Sequence, residues 1–338
     1  MKVADSVVRV GVVGTGAISQ VVHVPIFAER EDVDLVAVAD ADVHKAEALS
    51  RRFGVRSVLS AEQIIGHDGL DAVVICTPNH LHEPMAIAAL EAGKHVFVER
   101  PLATTSAGVR RVIEAAERAG RVLVTGMPHR FRPGVTALRS FVAGGELGEL
   151  YAVRGSWMTR PSRASRADWR QRREEAGGGA LVDLGLPALD LCLWLIGYPA
   201  MRRVSCVTSP RDASVEDAAT LMAETVDGVA LTLEVSNRLF ASEDRYYARV
   251  MGTEGSGSLP PLEVFKQLGG RPLEVTPRQP RPRGGENPYT NAYRRLLDDF
   301  VQSVAGRSEV KLPHEQVGLL ELIEAAYEAA ATGREVML

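Results

Sequence analysis

The residues with the plainest chemical reading in this chain are two glycines and an acid. Gly14-Thr15-Gly16-Ala17-Ile18-Ser19 has the order G-x-G-x-x-small and directly follows the β-branched run Val7, Val8, Val10, Val12 and Val13. Gly14 permits a tight turn, Gly16 lets the backbone come close to a pyrophosphate, and small Ser19 lets a helix pack on its strand where a third glycine is more usual. Ala17 and Ile18 complete the turn, so a diphosphate would rest on backbone amides at a helix N-terminus. A second apolar strand, Val33 to Ala39, ends at Asp40, whose carboxylate can accept hydrogen bonds from both hydroxyls of an adenosine ribose. A glycine motif alone is a weak signal, but set between two strands and closed by this acid it reads as a dinucleotide site. NAD is the expected cofactor rather than NADP, since Asp40 would repel a 2′-phosphate and Ala41-Asp42 bring no cation.

The elements that must position these residues alternate strand and helix. Asp42 to Phe53 reads as a helix stopping at Gly54, and Ser60-Ala61-Glu62-Gln63 has capping-box spacing. Asp71 to Cys76 is a buried strand, and Thr77-Pro78-Asn79-His80-Leu81-His82 is the loop at its C-terminal end. A helix from Pro84 to Ala92 and a strand from His95 to Val98 lead to Glu99-Arg100-Pro101. Loops at such strand ends face the ligand, which makes Thr77, Pro78, Asn79, His82, Glu99 and Arg100 candidate cofactor contacts. His82 has two readings: it contacts the nicotinamide ribose or relays a proton, or it is a buried histidine holding its loop by a backbone hydrogen bond. A helix from Ser106 to Ala119 and a strand from Arg121 to Val124 complete the sheet near residue 126.

Beyond it, Tyr151 to Trp157, Val204 to Val207, Ala218 to Glu224, Val229 to Val235 and Tyr246 to Met251 read as strands with few helices between them. Two helices close the chain, Tyr289 to Ala305 and His314 to Ala331. The expectation is an α/β protein: an N-terminal Rossmann domain with a doubly wound parallel sheet over residues 1–126, then a C-terminal α+β domain with a largely antiparallel open sheet over 127–338. Helices for only one face of that second sheet imply a homodimer or homotetramer.

Composition narrows the partners. A net charge of -4 over 338 residues argues against nucleic acid, which needs a basic surface, and favours small molecules. Cys76, Cys192 and Cys206 have no paired spacing and lie in or beside apolar runs, so buried free thiols and a cytoplasmic location are expected. The longest apolar stretch, Leu181 to Ile196, is broken by Asp183 and Asp190, and no membrane span is expected. No residue grouping has metal-ligand spacing. The cluster Arg154, Arg160, Arg163, Arg166, Arg170, Arg172 and Arg173 either selects an anionic substrate by bidentate contacts or forms a solvated face. Trp169 within it is a sugar-stacking surface or a core anchor.

Five motifs in order resemble the glucose-fructose oxidoreductase and inositol dehydrogenase family, Gfo/Idh/MocA. They are Gly14-Thr15-Gly16-Ala17-Ile18, Thr77 to His82, Glu99-Arg100-Pro101-Leu102-Ala103, Arg130-Phe131-Arg132-Pro133, and Gly177 to Asp190. The resemblance implies an N-terminal nicotinamide-binding domain, a substrate domain whose open sheet often serves oligomerisation, and oxidation or reduction at a sugar or cyclitol carbon. It also suggests a cis Arg100-Pro101 bond and makes Asp183 a substrate-hydroxyl ligand or base. His129 falls near the cleft in this resemblance, as a base or simply a polar residue at a strand end. Asp183 has the plain alternative of capping the helix from Leu184 to Ile196.

Two departures stand out. The family usually has lysine where this chain has Arg100, and histidine where it has Pro187; that pair stands at the reacting carbon. Arginine orients an oxygen but is a poor base, and proline does neither. The leading expectation is an NAD(H)-dependent oxidoreductase acting on a sugar, cyclitol or related polyhydroxylated compound, with Arg100, Asp183 and His129 as catalytic candidates and Trp169, Asp183 and Pro187 facing substrate. The rivals are a dinucleotide-binding sensor or scaffold without redox chemistry, and a bound-NAD enzyme with no net redox.

Overall fold

Residues 7–161, 168–210, 214–279 and 287–338 are described by the computed structural model. The chain divides into two units, Met1–Pro128 with Thr290–Gln316, and His129–Tyr289 with Val317–Leu338. In the first, β1 (Val8–Val13) is followed by a π-helical turn (Ser19–His23), α1 (Val24–Ala28), β2 (Val33–Ala39), α2 (Val43–Phe53), β3 (Ser57–Val58) and α3 (Ala61–Ile65). Then come β4 (Ala72–Ile75), α4 (His82–Glu91), β5 (His95–Val98), α5 (Ser106–Ala119) and β6 (Leu123–Thr125). The strands are all parallel, in the order β3-β2-β1-β4-β5-β6. This is the doubly wound order expected for a dinucleotide fold. Every residue of β4 is buried, as a strand covered on both faces must be, which is why it reads as an unbroken apolar run.

Local signals set the helix ends. Asp42 caps α2 and Gly54 ends it in the left-handed region; Ser60 and Gln63 make both bonds of a capping box; Thr105 caps α5. Each such cap contributes about 1 kcal/mol.

The second unit holds α6 (Pro133–Ala143), β7 (Leu150–Met158), α7 (Arg173–Ala176) and α8 (Leu186–Ile196). Seven strands follow: β8 (Met201–Ser209), β9 (Ala218–Thr225), β10 (Ala230–Ser236), β11 (Arg245–Gly252), β12 (Gly255–Leu259), β13 (Glu263–Leu268) and β14 (Arg271–Glu274). The chain closes with α9 (Pro288–Val304), α10 (Glu315–Thr332) and β15 (Val336–Met337). The sheet runs β14-β13-β12-β11-β7-β10-β9-β8-β15, antiparallel except where β10 lies parallel to β7. Strands β12 to β14 escape sequence reading for a physical reason: β12 is Gly-Ser-Gly-Ser-Leu, and β14 is exposed throughout.

Helix α8 is apolar around its whole circumference and buried accordingly. The stretch Arg173–Ile196 is long and apolar enough to cross a membrane, but 78% of its most apolar window is buried inside the protein. A Cβ at Gly155 of β7 would lie 2.7 Å from Cys192 Sγ of α8, so the helix rests directly on the strand backbone. Burial pushes the thiols of Cys192 and Cys206 up to about 12 and about 11, as inert core cysteines, while Cys76 is only half-buried.

The boundary near Pro128 lies beside the expected one at residue 126, but residues 290–316 count with the first unit rather than the second. The cause is the buried face of α9, where Phe300 packs edge-on against Phe97 of β5 at 5.7 Å. A return of the chain after about 160 residues, from Pro128 to Thr290, leaves no local mark in spacing.

Candidate active site

In the first unit the cofactor candidates gather at the C-terminal ends of β1, β2, β4 and β5, which are neighbours in the sheet. Gly14 has φ 95°, and a Cβ on it would lie 2.5 Å from the Cys76 carbonyl oxygen. A Cβ on Gly16 would meet nothing within 4 Å, so an open cradle lies above the turn beside exposed Ala17 and half-buried Ile18. Ser19 is fully buried, and its hydroxyl donates to the Gly14 carbonyl at 2.5 Å, a bond that glycine at this position could not make. Asp40 ends β2 and accepts from the Thr15 amide at 2.6 Å, the Thr15 hydroxyl at 2.9 Å and the Asp42 amide at 2.9 Å. Half-buried Thr77 and Pro78 lie just past β4; Thr77 Oγ1 is buried with no hydrogen-bond partner among the described residues, and Asn79 opens a short helical turn. The open glycine cradle, the acid at the strand end and this orphaned hydroxyl fit a bound dinucleotide.

His82 follows the loop-holding reading. It is 1% exposed, with Nδ1 2.6 Å from the Pro101 carbonyl and Nε2 2.9 Å from the Thr77 carbonyl. Burial lowers its pKa, and the neutral ring donates to one carbonyl at a time.

Glu99 is likewise interior, 7% exposed. One carboxylate oxygen lies 2.7 Å from His23 Nε2; the other accepts from the Tyr293 hydroxyl at 3.1 Å and the Arg100 amide at 3.3 Å. Burial opposes charge on both partners. Cys76 and Glu99 nonetheless hold His23 up to about 10, and His23 holds Glu99 below the usual carboxylate range, so the two form a buried ion pair. Glu99 therefore fixes the backbone of half-buried Arg100, and the Arg100-Pro101 bond is cis, as expected. His23 and Tyr293 had no visible signal: each meets Glu99 across a long sequence gap.

In the second unit a π-helical turn, Leu181–Gly185, runs straight into α8. Asp183 thus lies inside the helix rather than at its N-cap, which corrects the capping reading. The capping is done from a distance. Glu216, 4% exposed, accepts from the Gly179 amide at 3.2 Å, the Leu181 amide at 2.8 Å and the Tyr327 hydroxyl at 2.8 Å. A Cβ at Gly179 would lie 2.6 Å from the Glu216 amide nitrogen, which accounts for that glycine. The result holds half-buried Asp183 one turn before buried Pro187, which lies just past the π-helical turn.

His129, 5% exposed, belongs to a helical turn, Pro128–Phe131, clamped to α8. The clamp is Arg130 Nε on buried Asp190 at 2.8 Å, joined by a second guanidinium bond and the Tyr198 hydroxyl. The His129 ring stands edge-on to Trp157 at 4.9 Å, with Tyr246 at 6.5 Å and Tyr289 at 6.1 Å. His129 and Pro187 thus line one small recess together with Trp157, Ala188, Leu191 and Tyr246. Trp157 and Tyr246 were not singled out in sequence, where each is one aromatic in a strand pattern.

Trp169 is not among the walls of that recess; it lies under Arg170 at 4.2 Å. Its neighbouring arginines have internal partners: Arg160 reaches Asp244, Arg172 pairs with Glu175, and Arg173 lies over Tyr327. Arg154 faces Arg249 across β7 and β11, while Arg163 and Arg166 lie outside the described residues.

Residues 8–127 match the oxidoreductase family with an NAD-binding Rossmann fold, GFO/IDH/MocA, and residues 135–258 match the C-terminal domain of the same family. The chain belongs to this family. It is similar to D-glucoside 3-dehydrogenase of Escherichia coli (strain K12), 29% identical over 99% of this chain and 98% of that one. It is 32% identical to dTDP-3,4-didehydro-2,6-dideoxy-alpha-D-glucose 3-reductase of Streptomyces violaceoruber, over 74% of this chain and 72% of the relative. Among solved structures, GenD2 from gentamicin A biosynthesis in complex with NAD superposes with a TM-score of 0.85 at 30% identity, covering 98% of this chain and 97% of that one. This chain is accordingly an NAD-binding oxidoreductase.

Proposed function

We propose that the protein interconverts one secondary alcohol of a sugar or cyclitol and the corresponding ketone, with NAD as the preferred cofactor. The observation that carries this is the remote capping of the Asp183 turn: a buried carboxylate, itself bonded by a tyrosine, holds the Gly179 and Leu181 amides just before one half-buried acid. The names of relatives that act on glucosides and deoxysugars support the substrate class.

When bound, the cofactor supplies the hydride acceptor for oxidation and the donor for reduction. Gly14, Gly16, Ala17 and Ile18 hold the diphosphate, Asp40 the ribose, and Thr77, Pro78 and Asn79 border the same cradle. Arg100 orients the reacting oxygen. Asp183 accepts the hydrogen bond of the substrate hydroxyl and takes its proton as the C–H bond gives up its electron pair. In this reading His129, enclosed by three aromatic rings, shapes the site rather than shuttling the proton. Arg100 and Pro187 at the family's polar pair favour one rival, a binder without chemistry. Nicotinamide absorbance during incubation with a panel of sugars and cyclitols decides: stoichiometric change supports the dehydrogenase, and binding without change on any of them sinks it.

We also propose a homodimer or homotetramer through the open face of the second unit's sheet. Exposed Val207, Met222 and Tyr247 lie on that face, and so do Arg154, Arg249 and Glu234. Two arginines directly opposite repel each other, and a second copy offering Glu234 would relieve them. Light scattering at micromolar concentration tests this; a monomer contradicts it.

A further inference from the structure

The recess beside Pro187 has walls of one chemical kind. Trp157, Tyr246 and His129 enclose it with ring faces and edges, Trp157 lying 6.1 Å from Tyr246. Pro187, Ala188 and Leu191 of α8 provide the remaining apolar surface. The surface that these walls turn toward the recess is apolar. The Tyr246 hydroxyl accepts from Arg132, whose guanidinium also lies over the same ring at 4.9 Å. Pro187 has no amide hydrogen and no side-chain donor. Ser156 and Tyr247 border the recess, but strand alternation turns their side chains to the face shared with Glu234, opposite Trp157. A hydroxyl entering here would be desolvated without a partner, whereas a methyl group would bury apolar surface at no such cost.

We propose that this recess is a specificity subsite for a methyl-sized apolar substituent on the substrate, such as the methyl of a 6-deoxy sugar or of an O-methyl glycoside. It lies one helical turn beyond Asp183, so the substituent would sit beside the hydroxyl that Asp183 holds. The inference rests on the sugar oxidoreductase reading above and adds the substrate class to it. An apolar pocket discriminates against an added hydroxyl by about ten- to a hundredfold, so the preference is of that order.

The test uses the unaltered protein with NAD at saturation and matched pairs: 6-deoxy-D-glucose against D-glucose, L-fucose against L-galactose, and methyl glucosides against glucose. The expected result is a kcat/KM at least about tenfold higher for the methyl-bearing member of at least one pair. Leu191→Gln, which places an amide in the recess, narrows that ratio, and the milder Trp157→Phe lowers it without emptying the wall. Turnover with ratios at or below unity in every pair overturns the subsite while leaving the oxidoreductase reading in place. Absence of nicotinamide turnover with every member overturns that reading and this inference with it.

Discussion

The two units each fix a turn that carries candidate site residues, and they do so in opposite ways. In the first, the turn is held from within one strand-helix-strand unit: Ser19 bonds Gly14, and Thr15 bonds the acid that follows the next strand. In the second, the turn that carries Asp183 is held by Glu216, from the loop before β9, and by Tyr327 of α10. A local device shows in spacing, and a remote one does not. That contrast explains why spacing marks the first turn to the residue, while the Asp183 turn shows in sequence only through family resemblance.

The contrast breaks first at Asp183. If the remote capping serves catalysis, Asp183→Asn lowers turnover by about 10² to 10⁴-fold while NAD affinity is unchanged, because the cradle is built separately. Stopped-flow turnover and NAD titration by fluorescence measure both. Near-normal turnover would place the proton on another group, with His129 the next to substitute.

The next largest effect is on stability, at the buried His23–Glu99 pair. His23 titrates near its ordinary 6.5 when unfolded and at about 10 when folded. Its contribution is therefore complete below pH 6.5 and is lost as pH rises toward 10, on the order of a few kcal/mol at most. Glu99 runs the other way: its folded value is depressed, so its share is present above the ordinary carboxylate range and lost as acid reprotonates it. Thermal unfolding from pH 6 to 10 should show Tm falling, and His23→Gln should flatten that slope. An unchanged slope in the variant rejects the ion pair.

Asp40 sharpens the cofactor half. Asp40→Asn keeps an oxygen for the Thr15 amide but removes the charge, so the preference of NAD over NADP should shrink by about tenfold, read from the two dissociation constants. Equal affinities in the unaltered protein would remove the basis of the assignment. What was legible here was a complete local unit: strand, turn and acid within 34 residues, from Val7 to Asp40. What was not legible follows the same logic. His23, Tyr293, Trp157 and Tyr246 matter through contacts made across folds of the chain, β12 and β14 lack the branched residues that mark strands, and α9 joins the first unit through a face that looks like any amphipathic helix.

The smallest effect tests whether the remote capping is a unit or a coincidence. The Tyr327 hydroxyl donates to Glu216 at 2.8 Å, and burial together with that carboxylate raises the phenol's pKa, so it remains a protonated donor throughout the working range. Tyr327→Phe removes one bond to a charged acceptor while the Gly179 and Leu181 amides still satisfy the carboxylate. The expected loss is about 1 to 2 kcal/mol, seen as a Tm lowered by a few degrees. If Tyr327 also helps aim Asp183, kcat falls several-fold with KM little changed, and the effect vanishes in the Asp183→Asn background. Additive losses in that double-mutant cycle would show that Tyr327 only stabilises the fold, and that the acid is aimed by the two amides alone.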